Sequence, residues 1–171
     1  MRLRFDANQE YQLRAINAVI GLFKGQPGRD EGIATYRQDS LTSLQLTEVG
    51  VANRCVLSPG QWLNNVRAVQ QREDLEPSDQ LAGLVGSDGA AIGDFPNFTV
   101  EMETGTGKTY VYLRTIHELH RRHGFCKFVI VVPSVAIREG VLKSLQITHA
   151  HFRALYNAQR VEFDTYESAR V

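Results

Sequence analysis

Two glycines, a lysine and a threonine carry the clearest chemistry in this chain, in the order Thr104-Gly105-Thr106-Gly107-Lys108-Thr109. Glycines at alternate positions let the backbone curl until several N–H groups point at one anion. Lys108 can reach the terminal phosphates of a nucleotide as a point charge, and the Thr109 hydroxyl falls where Mg²⁺ would be held. Such a loop needs a strand before it and a helix after it, because the positive helix end adds to the amides. The sequence predicts both. Phe98-Thr99-Val100-Glu101-Met102 alternates with period two, and Leu113, Ile116 and Leu119 recur at helical spacing beyond the loop. One position departs from the full phosphate-loop pattern: Met102 stands six residues before the lysine, where a glycine or small residue is usual. The competing reading is a glycine-rich strand-to-helix turn that binds nothing.

The elements around this loop read less evenly. Asp6 with Gln9 predicts a helix start, followed by an apolar face of Tyr11, Ala15, Ile16, Val19, Ile20 and Phe23 and a stop at Gly25. Gln12 lies off that face. Residues 25–32 form a loop by composition, and residues 33–57 are poorly patterned, with short strands at Leu44–Thr47 and Cys55–Leu57. Ser58-Pro59-Gly60-Gln61 predicts a capped helix through Trp62, Leu63, Val66 and Val69 to about Leu75, with Arg67, Gln70, Arg72 and Glu73 on a solvated face. Glycines from Gly83 to Gly93 mark a flexible connector without the lysine of a second phosphate loop.

Beyond the loop helix, Gly124 is the expected cap, and His117, His120 and His123 near it are cations at a helix C-terminus rather than a metal site. Lys127-Phe128-Val129-Ile130-Val131-Val132 reads as a buried parallel strand. Pro133 ends it and Ser134 caps a helix with Ile137, Val141 and Leu145 on one face; Phe152, Leu155 and Tyr156 extend the helical pattern, and Val161–Phe163 opens another strand. Strand, helix, strand, helix with a phosphate loop after the first strand describes a P-loop βαβ unit.

The 171 residues suffice for one domain, and 43% hydrophobic with 22% charged residues excludes a disordered chain. No apolar run reaches the length of a membrane span. Cys55 and Cys126 lack metal-type spacing, which predicts free thiols in a reducing, cytoplasmic compartment. The net charge of zero hides an asymmetry. Arg29 to Asp94 holds five arginines against ten carboxylates, −5, whereas Lys108 to Lys143 holds seven Lys/Arg against two glutamates, +5. A polyanion partner suits the basic half.

Residues 6–12 (Asp-Ala-Asn-Gln-Glu-Tyr-Gln), 103–109 (Glu-Thr-Gly-Thr-Gly-Lys-Thr) and 131–141 (Val-Val-Pro-Ser-Val-Ala-Ile-Arg-Glu-Gly-Val) together resemble type III restriction enzyme helicase (Res) subunits, of the superfamily-two helicases and translocases. The resemblance runs from Met1 to about Tyr156. It implies an α/β fold: a partial P-loop NTPase (RecA-like) three-layer domain, truncated after the first βαβ unit. It implies that residues 1–171 are the N-terminal part of the first motor domain, with a variable insertion at about 25–95. Gln12 would then read adenine, Thr104 to Thr109 would hold ATP with Mg²⁺ on the Thr109 hydroxyl, and Pro133, Ser134 and Arg138 would touch a DNA backbone. The implied parent is an ATP-dependent site-specific deoxyribonuclease that moves on DNA and works with a methyltransferase (modification) subunit.

A motor also needs a carboxylate pair after an apolar strand to hold Mg²⁺ and orient water. Asp30-Glu31, Glu73-Asp74 and Asp164 do not stand in that setting. The chain is therefore expected to bind nucleotide without turnover, as the N-terminal fragment of a longer protein. The rival readings are a non-catalytic truncated remnant and a P-loop small-molecule kinase, the latter without an acceptor lid or catalytic carboxylate in the sequence.

Overall fold

Among the described residues, four helices stack side by side, with Pro59–Arg72, Glu10–Leu22, Lys108–His123 and Val135–Leu155 in that spatial order. The computed structural model describes residues 5–28, 33–35, 51–83, 88–90, 96–157 and 161–166. Helix α1 (Glu10–Leu22) begins three residues later than a cap at Asp6 suggests. The Asp6 carboxylate accepts the Asn8 N–H at 2.8 Å, closing a local turn, and Gln9 becomes the N-cap without a side-chain bond. Strands β1 (Ile33–Thr35) and β2 (Val51–Asn53) pair antiparallel, with Ile33 opposite Asn53. The strand expected at Leu44–Thr47 lies outside the described residues, and Cys55–Leu57 follows β2 without pairing.

Helix α2 (Pro59–Arg72) starts on a full capping box: Gln61 N–H donates to Ser58 Oγ at 3.3 Å, and Ser58 N–H donates to Gln61 Oε1 at 2.9 Å. Its supposedly solvated face is partly used. Arg67 donates to the carbonyls of Ser78 and Asp79, and Gln70 brackets Ser78 with both ends of its amide. Helix α3 (Lys108–His123) ends on Gly124 at φ +71°, whose N–H returns to the His120 carbonyl at 2.8 Å. Helix α4 (Val135–Leu155) is one uninterrupted helix of 21 residues, capped by Ser134 Oγ at 3.3 Å from Ile137 N–H.

Three apolar clusters hold the row together. Ile16 and Ile20 of α1 meet Val111 and Leu119 of α3 with Phe125; Leu22 and Leu57 meet Trp62 of α2; Tyr110 and Leu113 of α3 meet Phe152 and Tyr156. Beside the last cluster runs a polar chain. Arg114 Nε donates to Tyr156 Oη at 3.3 Å, and that hydroxyl donates to Glu118 Oε1 at 2.9 Å.

The expected three-layer sheet is not formed among the described residues. Among the described residues the single ladder is β1 with β2, and neither 98–102 nor 127–132 pairs with a neighbour. A strand's backbone bonds come from adjacent strands, so apolar alternation sets conformation but not a sheet. The alternation itself persists: Val129 and Val131 are 88% and 87% exposed, whereas Phe128 and Ile130 are 36% and 37% exposed. The run expected to be buried therefore carries an uncovered apolar side. The other run flanks a groove of about 1050 Å³ lined by Val19, Val66, Leu81, Phe98 and Val100, with α1 and α2 as its walls. Ile137 of α4 is likewise half exposed, and residues 161–166 form no strand.

The polar chain predicts how stability varies with pH. Burial raises the Glu118 carboxyl, but hydrogen bonds from Arg121, Tyr156 and Arg122 outweigh it and hold the group below the ordinary range. Burial, then the Glu118 carboxylate, pushes Tyr156 up to about 12 against the opposing Arg114. Burial and Arg114 hold His151 below its usual value. His151 therefore stabilises fully above its unfolded value of about 6.5, and Glu118 above about 4.3; each contribution fades as pH falls through the lowered folded value. Tyr156 stabilises fully below about 10, and its contribution fades as pH rises toward 12. Thermal melts should be flat from about pH 7 to 10 and fall on both sides. His151→Gln should remove the shoulder that begins just under pH 6.5 and leave the more acidic loss in place.

Candidate nucleotide site

The loop between residue 102 and α3 turns on two left-handed glycines, Gly105 at φ +84° and Gly107 at φ +86°. Gly107 is also the N-cap of α3, and as in α1 no side chain caps this helix, whereas serine hydroxyls cap α2 and α4. The first-turn N–H groups of α3 are thus left to an anion, beside the positive helix end. Lys108 is exposed, and its Nζ folds back to donate to the Glu103 carbonyl at 2.8 Å. Thr106 Oγ1 donates to the same carbonyl at 2.6 Å, which closes the loop into a ring. Thr109, half-buried, places its hydroxyl on the first turn of the helix. Thr104 and Gly105 lie exposed at the outer rim.

Gln12 of α1 arrives at this ring from elsewhere in the sequence. Its amide donates to the Thr106 carbonyl at 3.0 Å, 94 residues away. The approach is so close that a Cβ on Gly107 would sit 2.6 Å from Gln12 Nε2. Gly107→Ala therefore meets two obstacles, a left-handed backbone costing about 1–2 kcal/mol and a glutamine that must swing away. The melting temperature should drop by roughly 2–8 °C, with weaker nucleotide affinity, and a variant equal to the parent in both would contradict this geometry.

Met102 resolves into packing. Its half-buried side chain joins the cluster of Ile16, Ile20, Val111, Leu119 and Phe125, so its bulk fills the core beneath the loop and not the loop's mouth. Mg²⁺ and a polyphosphate suit this donor set: unclaimed amides, an exposed ammonium and a first-turn hydroxyl.

The second group of expected site residues lies apart. Pro133 and Ser134 are exposed at the start of α4, and Ser134 Oγ is engaged as the cap. Arg138, four residues on, rests on its neighbour Glu139 at 3.2 Å. None of the described hydrogen bonds or ion pairs joins these three to the loop. The histidines of α3 have structural partners: His117 stacks on Tyr156 at 5.0 Å, while His120 and His123 each lie within 3.0 Å of a backbone carbonyl through Nδ1. Among the described residues no three potential ligands gather into a metal cluster.

Sequence reasoning missed the side chains that brace the loop helix. Tyr110, one residue past Thr109, shares a hydrogen bond of 2.8 Å with His151 Nε2, and Phe5 stacks on the Tyr110 ring. The only advance signal was the spacing of Tyr110, Arg114 and Glu118 on one side of α3.

Comparison with known proteins places the sequence in a family. The family model for the type III restriction enzyme, res subunit, matches residues 7–167. The StyLTI Res subunit of Salmonella typhimurium is 49% identical over 74 residues, covering 42% of this chain and 8% of the relative. The EcoPI Res subunit of Escherichia phage P1 is 29% identical over 161 residues, 91% of this chain and 14% of the relative. The EcoP15I Res subunit of Escherichia coli is 34% identical over 105 residues, 60% of this chain and 10% of the relative. The chain thus spans a small part of the length of each curated relative it matches. On the extent of the family match, the chain belongs to the type III restriction enzyme Res subunit family.

Proposed function

We propose that this chain is the ATP-binding segment of an ATP-dependent DNA translocase in a type III restriction system. Thr104 to Thr109 hold the triphosphate, Gln12 reads the adenine edge, and Thr109 holds the Mg²⁺ that neutralises phosphate charge when bound. Pro133, Ser134 and Arg138 meet the DNA backbone at the start of α4. Residues 98–102 and 127–132 are strands of a parallel RecA-like sheet, and residues 25–95 are an insertion in the motor domain. The matched relatives are named as Res subunits of restriction-modification enzymes, which favours DNA as substrate and a modification methyltransferase as partner.

The observation that carries the reading is the uncapped N-terminus of α3 under two left-handed glycines, with Lys108 folded over it and Gln12 reaching in. Turnover is not expected of these residues. At the end of α2, Glu73 is engaged by Arg14 and Arg72, and no carboxylate pair follows an apolar strand in the sequence. At a hundredfold excess over its dissociation constant, Mg-ATP should add about 2.7 kcal/mol, or roughly 5–10 °C in melting temperature. Phosphate release should stay at background. A chain whose melt ignores Mg-ATP would instead be a remnant that binds nothing.

A further inference from the structure

On the side of α1 toward the end of α3 lies a groove of about 930 Å³ whose walls come from α1, α2 and the C-terminal turn of α3. Its α3 end lies away from the nucleotide loop, since Arg122 is 14 residues beyond Lys108 on one helix, about 21 Å along its axis. Arg14, Lys24, Arg72, Arg122 and His123 line it, with Glu73 as the lining carboxylate. The ion pairs there are shared unequally. Glu73 serves both Arg14 and Arg72, and Glu118 serves both Arg121 and Arg122. Lys24 makes no ion pair among the described residues. Counting Asp74 and Glu10, whose fields also reach Arg14, five cations face four carboxylates.

Geometry adds to the surplus charge. Arg14, Arg72 and Arg122 each hold their carboxylate through Nε, and the described hydrogen bonds leave the terminal Nη groups of all three unused. Arg72 extends over the groove floor, its two Nη atoms 3.8 and 4.0 Å from where a Cβ on Gly21 would stand. Guanidinium ends of this kind offer paired donors to phosphate oxygens. The carbonyl ends of α1, α2 and α3 explain one cation near each, but not forks left open.

We propose that this groove is a second nucleic-acid surface, which takes the phosphodiester backbone of duplex DNA independently of the stretch at Ser134 and Arg138. A backbone that repeats one charge at fixed spacing suits three forks anchored on three helices better than a flexible acidic peptide does. The inference rests on the DNA part of the proposed function and not on nucleotide binding.

The test is anisotropy of a labelled 20-base-pair mixed-sequence duplex with the full 171-residue chain, from about 50 to 300 mM salt. Lys24→Gln, Arg72→Gln and Arg122→Gln are combined, because Arg14 and Arg121 still pair the two carboxylates. Affinity should fall about tenfold or more, and the slope of log affinity against log salt by about 2–3, near 0.9 for each lost contact. If the triple variant does not melt cooperatively, Lys24→Gln alone should lower the slope by about 1. An unchanged slope in a folded variant overturns the groove, as does a polyglutamate of equal charge that competes as well as duplex. The Mg-ATP melt separates the two proposals: a lost salt slope without any nucleotide shift leaves the groove standing and removes the motor reading.

Discussion

Lys108→Ala is expected to weaken Mg-ATP binding by roughly 30- to 1000-fold, the equivalent of about 2–4 kcal/mol for truncating one member of a desolvated charge pair. The same change should leave the ligand-free chain within about 2 °C of its original melting temperature, as for a surface substitution. The asymmetry follows from the position of the ammonium. Lys108 is exposed and makes one described hydrogen bond, to the Glu103 carbonyl, which Thr106 Oγ1 also satisfies. Removing the side chain orphans no buried acceptor, whereas a bound triphosphate would lose its nearest cation. Calorimetric titration beside a melt of the free protein reads both quantities. Equal loss of stability and affinity would mean that Lys108 supports the fold.

Phe152→Ala should do the reverse, lowering stability by about 3–5 kcal/mol, the usual range for truncating a buried phenylalanine. Phe152 is 3% exposed, with ring centroids of Tyr110 and His117 at 5.2 and 4.8 Å. It is the main apolar anchor of α4 on α3, since the N-terminal half of α4 is largely uncovered. The cavity would open between the two helices, so α4 should loosen first. Hydrogen exchange should show its amides losing protection ahead of those in α1. Phe152→Leu, which refills part of the space, should cost less than half as much. Nucleotide affinity of the folded fraction should change little, because Phe152 meets α3 at Tyr110 and His117, and none of the described hydrogen bonds or ring contacts joins it to residues 104–109.

Local features were legible because they depend on neighbours in sequence. The Ser58–Gln61 capping box, the left-handed Gly124 and the glycines of the phosphate loop follow from residue types at fixed short offsets. The start of α1 was misplaced by a competing local bond, since the Asp6 carboxylate satisfies Asn8 and not a helix N–H. The sheet was beyond sequence reasoning for a different reason. Runs at 98–102 and 127–132 have strand alternation, but their hydrogen bonds depend on neighbours that the alternation cannot specify. Cross-helix side-chain links were equally hidden. Arg114 with Tyr156, Glu118 with Tyr156, and Tyr110 with His151 join residues 38 to 42 apart, and each alone is an ordinary polar residue on a helix. At the site, the loop was readable residue by residue, whereas the spacing of Gln12 alone said only that it lay off the apolar face. Its contact with Thr106 depends on α1 packing against α3.

The most direct measurement is a crystal structure of the chain soaked in a Mg-bound, non-hydrolysable ATP analogue. The motor reading predicts phosphate oxygens seated over residues 104 to 109, Mg²⁺ beside the Thr109 hydroxyl, and Lys108 Nζ drawn from the Glu103 carbonyl onto the nucleotide. A loop unchanged by the analogue, with Lys108 still on Glu103 and no phosphate at the start of α3, would contradict it.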